Sequence, residues 1–158
     1  MAIGIADLAL AAADGGIGAL RTRLGATCPT GTGIGVVQVE VPASGAGTDY
    51  APDLTLSDFT GKTVTLVTTP SSSSWHATNV AQRLYGSSLA MARGVTSAWV
   101  YNANGWIADP LKVGTASAVG ASVNSSVRVM NHSWIGSYGA GNENLDREAV
   151  RQIGRAHV

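Results

Sequence analysis

Four short apolar runs punctuate the chain: "IGVVQVEV" (34–41), "KTVTLVT" (62–68), "TSAWVYNA" (96–103) and "SVRVMNHSW" (126–134). Each is rich in β-branched or aromatic residues and is bounded by Gly, Pro, Ser or Asn, the pattern of a strand. Between them the apolar spacing turns helical. Residues 76–85 place Val80, Ala81 and Leu84 on one face. Residues 110–123 are Ala-rich, with Leu111, Val113, Val119 and Val123, and residues 143–152 carry Leu145, Ala149 and Val150. Residues 5–24 predict a further helix, interrupted at Gly15 and Gly16. Strands alternating with helices predict an α/β fold of three layers, a mainly parallel sheet with helices on both faces. In such a sheet, functional groups gather at the carboxyl ends of the strands. Those ends are Glu40–Val41, the loop leading to His76, Asn102–Asn104 and Ser133–Gly136.

The 158 residues suit one domain with a real core. Only 13% are charged, against roughly 25% in an average domain. Small residues dominate, a composition common in exported bacterial enzymes. Net charge is zero, and no Lys/Arg cluster occurs. That argues against a nucleic-acid partner and against an anionic membrane surface. No apolar run reaches the length of a membrane span. Cys28 is the single cysteine, so no internal disulfide or CxxC metal site exists, and an inert thiol is expected. The opening "MAIGIADLALAAADGG" has no basic n-region and is interrupted by Asp7. It reads as an amphipathic helix or the remnant of a mis-called start, rather than an intact signal peptide.

The last six residues, "IGRAHV" (153–158), invite a different explanation. One reverse translation, ATC GGA AGA GCA CAC GTC, is the read-through of a widely used sequencing adapter. The adapter's leading AG would complete a CAG codon, and residue 152 is Gln. The expectation is therefore that residues 153–158 are adapter translation, that the gene continues past Arg151, and that Arg155 and His157 carry no function.

Candidate chemistry is sparse. "GTGIGVVQV" fails as a dinucleotide motif because its glycines precede the strand instead of following it. Tight-turn glycines ahead of a buried strand are the better account. Neither GxSxG nor GxxxxGK[ST] occurs. His132 lies inside an apolar run and reads as a core histidine. Glu40 closes an otherwise apolar strand, and His76 opens a helix. Each alone is ordinary: a solvated strand end, a surface or structural histidine. Together they suit a base and its orienting acid. The helix dipole favours the neutral ring that acts as a base, and a base needs a third group to fix its tautomer. "NHSWIGS" (131–137) is a strand running into small residues, whose backbone edge could pair with an extended peptide.

In this frame the chain resembles a subtilisin-type serine peptidase, or subtilase, in divergent form. The family's "GxGVxVAVIDTG", which ends on the triad Asp, is matched by "GTGIGVVQVEV", with Glu40 at the acid. Its "HPDL" is similar to "APDL" at 51–54. Its "GHGTHVAGIIAG", carrying the triad His, is similar to "WHATNVAQRLYG" at 75–86, where His76, Thr78, Val80, Ala81 and Gly86 match in register. "SLAMARGVTSAWVYNANG" and "VRVMNHSWIG" stand where the family has "GVAPxAxLxxxKV" and "VINMSLG". The likeness covers residues 30–151 and is most specific around His76. The chain also resembles a divergent subtilase subgroup of exported bacterial proteins with "VEAP"-like and "NHSWIG"-like segments.

The resemblance implies a truncated subtilisin-like fold. It divides the chain into an N-terminal helical segment (1–29), a partial catalytic domain (30–152) and the adapter tail (153–158). It implies a secreted or cell-surface serine endopeptidase acting on polypeptides. His76 would be the general base, Glu40 would hold it, and Ser133, Trp134, Ile135 and Gly136 would bind substrate backbone. No cofactor follows. Calcium is common in the family, but no acidic cluster is evident here. Three departures stand out. Glu40 replaces Asp, although Glu orients His in some hydrolase triads. Ala77 and Asn79 replace Gly and His. No Ser sits in a GTS-type context, so the nucleophile and the oxyanion Asn are expected beyond these residues, and the 158 residues alone are expected to be inactive. The alternative is a non-catalytic subtilase-like binding or surface-protein module. If Glu40 is not the acid, Asp49 and Asp53 are the next candidates.

Overall fold

The computed structural model describes residues 16–45, 47–108 and 126–134. Its frame is a four-stranded, all-parallel sheet of β1 (Gly35–Glu40), β2 (Thr63–Leu66), β3 (Ser97–Asn102) and β4 (Val127–His132), in the order β2-β3-β1-β4. All four expected strands form, and the α/β class holds. The described helices are α1 (Ile17–Leu24), α2 (Trp75–Leu84) and α3 (Ala103–Ala108). α2 falls where the periodicity places it, one residue early. The expected helices over 110–123 and 143–152, and the first 15 residues, lie outside the described residues. α3 was not expected; it is a short helix entered directly from β3.

β1 is buried along its whole length, as a central parallel strand covered on both faces should be. Its odd positions, Val37 and Val39, pack with Ala103, Trp106 and Ile107 of α3 and with Val127. Val36 faces the other way, into a cluster with Phe59, Ala81, Tyr85, Val95 and Ala98. Ala77 and Ala81 are the buried residues of α2. With only methyl groups on that face, the helix can lie close to the sheet. The turn entering β1 needs its glycines: Gly31 and Gly33 have φ of 82° and 80°, the left-handed region that other residues avoid.

His132 departs from expectation. It is exposed, not core. It ends β4, a strand whose single buried residue is Val127. Its ring lies edge-on to Trp106, with centroids 5.6 Å apart, and 6.0 Å from Trp134. The apolar run predicted burial on both faces, but β4 pairs only with β1 among the described strands.

Asp58 fastens the end of α2 to the turn before β2. It is buried and accepts hydrogen bonds from Gln82 Nε2 (2.9 Å), from the Ser88 amide (2.9 Å) and from the Ser88 hydroxyl. The Ser88 hydrogen bonds hold its carboxyl below the usual range. A depressed carboxylate contributes stability that is present above its unfolded value and is lost as pH falls through the folded one. Asp58→Ala should therefore lower stability by about 1–3 kcal/mol at neutral pH. Urea unfolding should show that difference shrinking as the pH drops below about 4.

Candidate functional site

The strand order changes direction at β1, with β3 on one side and β4 on the other. Ligands in open α/β sheets bind beyond the carboxyl ends of strands at such a switch point. Glu40 is the last residue of β1, paired in register with Asn102, the last residue of β3. β4 ends at His132, opposite Val39.

His76 reaches this edge because of how α2 begins. Ser74 is its N-cap, accepting from the Ala77 amide at 3.3 Å, so the serine run ends in a capping residue. The Ser74 amide donates to Ala51 O (2.7 Å), and the Asp53 amide donates to Thr78 Oγ1 (2.9 Å). The "APDL" segment is thereby stapled to the first turn of α2. Tyr50, fully buried, anchors the same loop through its hydroxyl to the backbone oxygen of Thr68.

His76 Nδ1 lies 2.9 Å from Glu40 Oε2. The pair is asymmetric: the glutamate side chain is 1% exposed and the histidine 53%. The acid is sealed beneath the helix, while the ring presents to solvent. No hydrogen bond to Nε2 of His76 occurs among the described residues. Glu40 Oε1 accepts from Gln38 Nε2 at 2.9 Å. Burial pushes the Glu40 carboxyl above the ordinary carboxylate range, and the hydrogen bonds from Gln38 and His76 pull it part of the way back.

The other candidate acids are engaged elsewhere. Asp49 accepts from the amide and hydroxyl of Ser44, and Asp53 from the amide and hydroxyl of Thr55. Among the described residues, no hydrogen bond or ion pair joins either of them to His76. Ser133 Oγ accepts from Asn131 Nδ2 (2.8 Å), and Trp134 Nε1 donates to His132 Nδ1 (3.3 Å). These two residues leave β4 beside β1, on the same edge as Glu40, and no described contact joins them to the pair. Ile135 and Gly136 lie outside the described residues. Asn102 accepts from the Asn104 amide and donates to Gly47 O, tying the 42–50 loop to the same edge. No group of three His, Cys, Asp or Glu among the described residues could hold a metal ion. No described helix is long and apolar enough to cross a membrane.

Sequence reasoning missed Gln38 and Tyr85. Gln38 is fully buried, two residues before Glu40 and therefore on the same face of β1. A glutamine inside an apolar strand, in phase with the glutamate, was the signal available.

The raised carboxyl of Glu40 has a stability consequence. Between its unfolded and folded values the native state binds more protons than the unfolded one, so stability falls as pH rises through that window. Glu40→Gln removes the buried charge and should raise the urea midpoint at pH 7. The gain should vanish as pH drops below the ordinary carboxylate value of about 4.3.

Comparison with known protein families, curated proteins and solved structures finds no match to this chain.

Proposed function

We propose that His76 and Glu40 are the acid–base half of a serine-type peptidase of subtilisin character, acting on polypeptides. The observation that carries this reading is the asymmetric pair: a buried carboxylate 2.9 Å from Nδ1 of an exposed imidazole whose Nε2 has no hydrogen bond among the described residues. A carboxylate in that place fixes the tautomer and stabilises the imidazolium that forms during turnover. The motif likeness around His76 supports the same assignment, as does the engagement of Asp49 and Asp53 elsewhere.

In the proposed reaction, a serine hydroxyl attacks the peptide carbonyl carbon and gives its proton to His76 Nε2. The tetrahedral intermediate collapses, and the same proton passes to the leaving amine. Water then repeats the sequence on the acyl-enzyme. Glu40 keeps Nδ1 protonated throughout and does not itself take the proton. Ser133 and Trp134, emerging beside β1, are the proposed start of the substrate-backbone segment. On this reading the nucleophile and the oxyanion donor come from outside these 158 residues, and these residues alone do not turn over. Each missing group is worth roughly 10²-fold or more.

The test expresses the reading frame together with the genomic sequence that follows Arg151. Casein cleavage and labelling by a fluorophosphonate report activity. Wild type should do both, and His76→Ala should lose at least about 10³-fold in kcat. A wild type that neither cleaves nor labels overturns the peptidase reading. An active His76→Ala overturns the assignment of the base.

A further inference from the structure

Gln38 touches Glu40 and the residue that follows His76 on α2. Its Nε2 lies 2.9 Å from Glu40 Oε1 and 2.9 Å from the backbone oxygen of Ala77, the residue after His76. Its Oε1 lies 2.9 Å from the Tyr85 hydroxyl. The orientation of this amide is forced. A peptide oxygen only accepts, so the group facing Ala77 must be the NH₂, whose second proton then points at Glu40. The carbonyl is left for the hydroxyl of Tyr85, which donates. Flipping the amide would set oxygen against oxygen at Ala77 and at Glu40.

We propose that Gln38, backed by Tyr85, is the positioning residue of this site: one buried amide fixes the rotation of the Glu40 carboxylate and ties it to the helical turn that carries His76. The inference rests on the acid–base reading and extends it by two residues. Its physical basis is the competition at Glu40. With Oε1 held, Oε2 is the oxygen turned to Nδ1. With Oε1 unpaired, the carboxylate is free to rotate within its pocket, and the His76 hydrogen bond loses its fixed direction. Tyr85 is suited to its part. Its ring packs against Phe59, with centroids 5.8 Å apart. Burial, and next the charge on Glu40, drives its hydroxyl well above the usual tyrosine range, so it remains a donor. Among the described residues, His76 and Tyr85 are the titratable groups that act on Glu40. An apolar residue at 38 would fill the same volume and leave Glu40 Oε1 without its donor, which is why the glutamine is read as more than packing.

The test uses Gln38→Met and the milder Tyr85→Phe in the polypeptide extended past Arg151. For Gln38→Met, kcat should fall about 10- to 100-fold with KM unchanged, the usual effect of losing a partner that orients a functional group. Tyr85→Phe should cost less, and it carries the test if Gln38→Met fails to fold. Both effects should disappear in a Glu40→Gln background, because a positioning residue acts only through the group it positions. An equal loss in both backgrounds overturns the proposal and leaves Gln38 a packing residue. The downfield Nδ1 proton resonance of His76, read by NMR on the same proteins, gives an answer independent of turnover. Displacement of that resonance in both variants supports the proposal, and an unmoved resonance overturns it even if the protein hydrolyses nothing. An inactive wild type with a displaced resonance would sink the peptidase reading and leave the positioning role standing.

Discussion

A carboxylate that is 1% exposed must be met by donors, or it will not stay ionised. Glu40 is that carboxylate, and much of the described structure can be understood from how its needs are met. One donor comes from its own strand, two residues back. The other comes from the helix above, through His76. For the second to arrive, α2 must start at the right height over β1. That height is set by the Ser74 cap, by the Asp53–Thr78 staple and by the two alanines that let the helix settle onto the sheet. Burial outweighs the hydrogen bonds, and the carboxyl stays above its ordinary range.

The unequal exposure of the two partners supports the proposed role of the site. An ion pair kept only for stability gains little from hiding one partner completely and exposing the other, since the buried charge loses more hydration than a surface partner returns. A catalytic pair requires that asymmetry. The acid must be dry and fixed so that its field acts on the imidazole, and the imidazole must be open on its far side to meet a substrate. The parallel sheet supplies both conditions at once, because the carboxyl end of a central strand is covered by a helix and opens at the edge of the sheet.

The strands were legible in the sequence because β-branched runs between Gly, Pro, Ser and Asn leave few alternatives to a parallel sheet. α2 was legible from Val80, Ala81 and Leu84, although its buried face proved to be Ala77, Ala81 and the following Tyr85. The structure brings Glu40 and His76 together although they are 36 positions apart. The sequence suggested this pairing from strand-end and helix-start positions together with the motif likeness. What could not be read was the interior wiring. Gln38 looked like an interruption in an apolar strand, and Tyr85 like the end of a helix; their meeting depends on how the helix crosses the sheet. His132 was misread for a related reason. An apolar run does not say how well the strand that carries it is covered, and β4 leaves this residue exposed beside Trp106 and Trp134.

On the proposed reading Glu40 fixes the tautomer of His76, with a proton on Nδ1 and the lone pair on Nε2. Nitrogen-15 NMR of the His76 ring at neutral pH measures this directly. A pyrrole-type Nδ1 and a pyridine-type Nε2 are expected. A proton on Nε2, with Nδ1 accepting from a protonated Glu40, would contradict it.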